Sequence, residues 1–218
     1  MNYATLSATI RSYLQNDETD FVANIPTFVK QAEQRIYNTV QFPALSKTAT
    51  LTATIGDQYI DAPADFLATF SFAVIDGAGT YSFLLNKDVS FMREAYPKVA
   101  DTGLPKYYSI YGPQTAAPTE LQFIVGPTPD AAYSTELQYF FYPESIVTAS
   151  TTWLGDNFES VLLYGCLVEA YTFLKGEAEL VALYDGKYKE ALILAKRLGD
   201  GMERQDTYRT AQTRQPVN

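Results

Sequence analysis

The sequence contains no histidine and only one cysteine, Cys166. Those two shortages remove most familiar enzyme chemistry. Without histidine there is no Ser-His-Asp or Cys-His pair and no imidazole ligand for a metal. A lone cysteine can form neither an internal disulfide nor a thiolate metal cluster. It sits in the apolar run "LLYGCLVEA", which reads as a buried thiol rather than a reactive nucleophile. No GxxxxGK[ST] loop or GxGxxG turn occurs, and the "DGAG" of residues 76–79 is a hairpin signal too short for either. No apolar run reaches the roughly 18 residues of a membrane span. The N-terminal "MNYATLSATIRSYLQ" lacks a basic segment followed by an apolar core, so no signal peptide is expected. Basic residues are also scarce, 16 against 25 acidic ones, for a net charge of −9. That balance argues against a protein that grips DNA, which needs a cationic patch to displace counterions. It is compatible with one that encloses DNA without holding it.

Carboxylates are the chemistry that remains. Asp61, Asp65, Asp76 and Asp88 are spread through the middle of the chain, and two such groups could form a glycosidase pair. The plainer reading is solvated surface, which any acidic β segment offers. No catalytic residue, metal site or cofactor is assigned.

The hydrophobic pattern has three parts. Leu6, Ile10 and Leu14 mark one face of a first helix. A second is expected from Asn24 as N-cap, with Pro26 in its first turn, a stripe of Phe28, Val29, Ala32, Ile36 and Val40, and an end at Phe42-Pro43. The period then becomes two. Ala49, Leu51, Ala53 and Ile55 alternate with threonines, Tyr59 and Ile60 begin a short strand, and Phe66, Phe70, Phe72 and Val74 share one side. After "DGAG", Tyr81, Phe83 and Leu85 return on one face. A short helix follows with Asp88 as its cap.

Three further strands are rich in aromatics. Tyr108 and Ile110 point one way, and Tyr107, Ser109 and Tyr111 the other. Leu121, Phe123 and Val125 share a face, as do Leu137, Tyr139 and Phe141. Aromatics at period two suit a pleated sheet. The competing reading is a ligand platform on Tyr107, Tyr111 and Tyr142.

A Ser/Thr-rich linker, "ESIVTASTT", leads back to helices. Asp156 or Asn157 is the candidate cap of a helix running to about Lys175. That helix is apolar almost all round and therefore central, with Gly165 allowing close approach of a neighbour. Glu169 interrupts it, and a buried carboxylate needs a partner: Lys30, Arg35, or a group on another subunit. Leu180, Tyr184, Tyr188, Ala191, Leu192, Ala195 and Leu198 form a last stripe ending before Gly199. The expected fold is α+β: a helical bundle from the N- and C-terminal segments (1–42 and 153–206), an inserted antiparallel β domain, sandwich or barrel-like (43–152), and an extended tail (207–218).

Two stretches taken together, "LPKYYSIYG…LQFIVGPTPDAAYSTELQYFFYPE" and "TTWLGDNFESVLLYGCLVEAYTFLKGEAELVALYDGKYKEAL", resemble the head-to-tail adaptor proteins of tailed bacteriophages, the tail tubular protein A-like connectors. Gly103, Pro105, Tyr108, Pro127, Pro129, Asp130, Tyr139, Pro143, Trp153, Leu154, Tyr164, Gly165, Leu167, Glu169, Ala170, Leu174, Tyr184 and Tyr188 stand at the positions of that pattern, and "YIDAPADFL" fits its earlier segment. Many relatives carry His-Pro before the central helix, where this chain has Asp156-Asn157.

The resemblance implies a structural virion protein at the head–tail junction, made in the host cytoplasm. It implies a ring, twelvefold, beneath the portal protein and above a tail or nozzle protein, enclosing the genome DNA without specific binding and touching no membrane. The tail would be the portal contact, through Thr207, Tyr208, Arg209, Arg214, Pro216 and Val217. A β-sandwich carbohydrate-binding module of a phage or bacterial surface protein is the alternative function, resting on the tyrosines.

Overall fold

The computed structural model describes residues 1–112 and 120–203, and they form two compact units. One comprises Met1–Leu45 and the described residues from Tyr142 on, and is helical. The other, Ser46–Phe141, carries the strands. The α+β expectation is met.

In the helical unit, α1 (Tyr3–Leu14) starts at Asn2, whose side chain accepts the Thr5 N–H, and buries Leu6 and Ile10. The second helix, α2 (Thr19–Thr39), starts five residues before Asn24. Asn24 does not cap it. Its amide donates to the Asp20 carbonyl within the helix, and Pro26 lies in the helix interior. Burial of Phe21 and Ile25 explains the longer helix: its apolar face outweighs the missing proline N–H. The stripe of Phe28, Val29, Ala32 and Ile36 is buried as expected.

The return to helices begins with one turn, α4 (Ile146–Ala149), and α5 (Trp153–Asn157), capped by Ser145 and Thr152. Then come α6 (Glu159–Phe173) and α7 (Ala178–Glu203). Neither Asp156 nor Asn157 caps α6. Asp156 lies 3.6 Å from the Met1 amino group, and Asn157 donates to the Trp153 carbonyl. The central helix α6 packs on α1, α2, α5 and α7 and buries Val161, Leu162, Cys166, Leu167 and Ala170. A Cβ added at Gly165 would come within 3.3 Å of both Ala32 on α2 and Tyr188 on α7, so glycine sets the spacing of three helices here. Helix α7 runs through Gly199 and Gly201 rather than stopping before them.

The other unit is a two-layer sandwich. One sheet has the order β1-β8-β3-β4, from β1 (Ser46–Ala53), β8 (Tyr133–Phe140), β3 (Ala68–Ile75) and β4 (Tyr81–Phe83). The second has the order β2-β7-β6-β5, from β2 (Tyr59–Asp61), β7 (Gln122–Gly126), β6 (Tyr107–Tyr111) and β5 (Leu85–Asn86). All pairings are antiparallel except β5 with β6, so the second sheet is mixed. Phe72, Val74, Leu137 and Tyr139 of the first sheet meet Tyr108, Phe123 and Val125 of the second in one core. Phe72 lies 5.4 Å from the Tyr108 ring and 5.0 Å from that of Phe123. Helix α3 (Val89–Ala95), capped by Asp88 as expected, packs on β6 and β7.

One register detail departs from strict alternation. Thr69 pairs with Tyr139 and Ser71 with Gln138, so Phe70 is the extra residue of a β-bulge. It does not join Phe66, Phe72 and Val74 inside, and is 69% exposed. An extra residue in one strand moves its side chain off the face that alternation assigns.

Candidate functional site

The aromatics divide between core and surface. Tyr108, Phe123, Leu137 and Tyr139 are buried inside the sandwich. Tyr107 lies on the outer face of β6 under α3, 5.5 Å from the Phe91 ring and 6.4 Å from that of Tyr96. Lys87 sits over both Phe91 and Tyr107, and the Arg93 guanidinium lies over Tyr111 at 5.9 Å. Tyr142 belongs to the helical unit, where it stacks with Tyr37 and donates its hydroxyl hydrogen to Asn38. The three tyrosines that motivated a carbohydrate platform therefore already have protein partners.

Each of the four candidate carboxylates, Asp61, Asp65, Asp76 and Asp88, has a local structural task. Asp61 accepts the Gln122 amide at 2.8 Å. Asp65 accepts from Lys47 and from the Tyr139 hydroxyl, both at 2.8 Å, and the lysine holds its carboxyl below the usual range. Asp76 accepts the N–H groups of Thr80 and Ala78 and closes the hairpin. These backbone donors, Thr80 first, likewise lower its pKa. Asp88 caps α3. Asp65 and Asp76, lowered by such partners, are poor general acids at neutral pH, and the four carboxylates serve as a strand-pair acceptor, an ion-pair member, a turn closer and a helix cap.

In the helical unit, Glu169 pairs with Arg35, one of the two partners expected on α2. Cys166 is fully buried, and desolvation pushes its thiol well above the ordinary value. A residue missed in the sequence is Glu33. It is 3% exposed and accepts the Ile146 N–H at 2.9 Å, tying the first turn of α4 to α2. Burial raises its pKa against the lowering effects of Ile146, Ser145 and Lys30. The signal was available, because position 33 falls at helical spacing from Val29 and Ile36 inside the apolar stripe. Its partner, 113 residues away, was not. Between α6 and α7, an open groove of about 500 Å³ includes Val168, Val181 and Ala182 with Lys175 and Asp185 at its edges. No convergent set of titratable groups lines it.

What the surface does offer is exposed apolar area on the sandwich. The bulge turns Phe70 out, and on β4 Phe83 is 65% and Tyr81 47% exposed. Two aromatic pairs lie on the outer face of this sheet: Phe70 meets Phe140 edge-on at 6.0 Å, and Tyr81 stacks on Phe83 at 6.4 Å. In the strands, Phe83 is opposite Ala73 and Ala73 is opposite Glu136, so a carboxylate shares this face. Thr207, Tyr208, Arg209, Arg214, Pro216 and Val217 lie outside the described residues.

Comparison with known proteins adds to this geometry. The model of the family described as SU10 adaptor protein matches residues 1–216. No curated protein matches the chain. Among solved structures, a chain from the neck of an empty GTA particle, computed with C6 symmetry, is similar at 12% identity, covering 79% of each chain. Its TM-score of 0.26 is too low to carry an argument.

Proposed function

The chain belongs to the SU10 adaptor protein family, a structural phage family rather than an enzyme family, and we propose that it joins the portal protein to the first tail or nozzle protein as one subunit of a twelvefold ring. The head-to-tail adaptor role is the one the sequence resemblance implied. Family membership over nearly the whole chain is the observation that carries the reading. The described surface agrees with it: carboxylates occupied in turns and caps, and aromatic patches of the kind protein interfaces use.

In this reading the genome passes through the ring. The net charge of −9 suits a conduit, because carboxylates facing a channel repel phosphates and limit sticking. Ring contacts are heterologous, one face of each subunit meeting a different face of the next. The C-terminal segment docks on the portal, with Tyr208 as aromatic anchor and Arg209 and Arg214 as bidentate donors. No helix among the described residues is long and apolar enough to cross a membrane.

The test is a phage lacking this gene, complemented in trans. Without the protein, heads should fill with DNA but fail to acquire tails, and the protein should be found at the neck of complemented particles. Tailed, infectious particles made without it would overturn the adaptor role.

A further inference from the structure

We infer that the two outer faces of the sandwich are the two halves of one subunit contact: the Phe70–Phe83 face of one copy binds the α3 face of the next. The inference deepens the ring reading above and rests on it.

The first face is the outer surface of sheet β1-β8-β3-β4. At roughly 200 Å² per aromatic ring, the exposures of Phe70, Tyr81 and Phe83 leave about 350 Å² of aromatic surface open. Patches of a few hundred Å² on soluble proteins commonly mark interaction sites. Glu136 shares the face, and among the described residues no cation pairs with it.

The second face lies on the opposite layer. There Phe91 is 39% and Tyr111 41% exposed, and Lys87 and Arg93 lie over their rings. Neither cation has a carboxylate partner among the described residues. One face thus carries aromatic surface with an unpaired anion, and the other carries aromatic surface with two unpaired cations. Each lacks what the other supplies. Cations that lie over aromatic rings are also suited to receive a further aromatic edge or a carboxylate.

Topology fixes what such a pairing builds. The complementary faces are on the two outer surfaces of one sandwich, so a copy cannot satisfy both with a single twofold partner. Each copy meets two neighbours, head to tail, and the contact propagates around an axis. The area explains why the contact needs a template. About 350 Å² of aromatic surface on the first face and, at the same roughly 200 Å² per ring, about 160 Å² on the second fall short of the ~800 Å² per partner of a stable independent complex. The isolated chain should stay monomeric, and the faces should close once copies are held side by side.

Cross-linking reads this out directly, because Cys166 is buried and gives no background. Thr50→Cys, beside Glu136 on the first face, and Ala95→Cys, one turn after Phe91 on α3, would be made singly and together, incorporated into particles by complementation, and treated with a short bismaleimide. Both sites are exposed and leave the contact aromatics and charges in place, so incorporation should match wild type. The double variant should give a ladder of adaptor multimers, and each single variant only monomer. Three results would overturn the inference while leaving the adaptor role intact: dimers from Thr50→Cys alone, meaning the face meets itself; a product joining the Thr50→Cys thiol to a different virion protein; or no product from a double variant present at wild-type level. Absence of the wild-type protein from particles would instead overturn the adaptor role.

Discussion

Replacing Glu33 tests whether a buried carboxylate fastens the return of the chain to the helical unit. Glu33→Ala removes the acceptor of the Ile146 N–H, a 2.9 Å bond at a site 3% exposed. A buried donor left without a partner costs about 1–3 kcal/mol, and the void adds ~1 kcal/mol. The expected loss is therefore about 2–4 kcal/mol, or roughly 5–15 °C in Tm for a chain of this size. Glu33→Gln keeps an acceptor oxygen and removes the buried charge, so it should stay within about 1 kcal/mol of wild type. The two variants also differ in pH dependence. Burial raises the folded pKa of Glu33. Between the ordinary glutamate value and that raised value, the folded state holds a proton the unfolded state has lost. The Glu33 contribution to stability therefore falls as pH rises through this window. Urea unfolding of wild type and Glu33→Gln from pH 7 to pH 4 should show the difference between them moving in favour of wild type on acidification. Hydrogen exchange at the Ile146 amide should be faster in Glu33→Ala than in Glu33→Gln. If Glu33→Ala melts with wild type, or Glu33→Gln is as damaging, the carboxylate is not the fastening.

Gly165→Leu should destabilise the helical unit by several kcal/mol, because its side chain must enter space already 3.3 Å from Ala32 and Tyr188. Gly165→Ala should be much milder, since the helix-propensity gain of about 1 kcal/mol offsets a tight contact, and thermal melts would rank the pair. Asp65→Asn should cost stability at neutral pH and progressively less below about pH 4, because a carboxyl whose folded pKa is lowered loses its contribution as pH falls through that value. Equal pH profiles for wild type and variant would refute this. Truncation after Asp206 should leave melting temperature and helix content nearly unchanged while abolishing attachment to portal-bearing capsids. Truncated protein that still docks and yields infectious particles would assign the portal contact elsewhere.

Much of the architecture was legible because it is local. A period of 3.6 or 2 is written in consecutive residues, so the helix–strand–helix order, the buried central helix and the inward set of Phe72, Val74, Leu137 and Tyr139 could be read without coordinates. So could the Asp88 cap and the tight spacing at Gly165. The adaptor family was legible in the order of its segments. Local rules failed where they competed with burial. Asn24 and Pro26 look like a helix start, but burial of Phe21 and Ile25 carries α2 five residues further.

Other features had no local signature. The bulge at Phe70 depends on how β3 registers against β8, which comes much later in the chain. That one shift turns an apparent core residue into part of an aromatic surface patch. The parallel pairing of β5 with β6 and the bond from Ile146 to Glu33 likewise join distant segments. The sequence alone determined which faces are apolar and which family the chain resembles. Only the tertiary structure decided which of those faces are covered, because covering requires a partner that periodicity does not name.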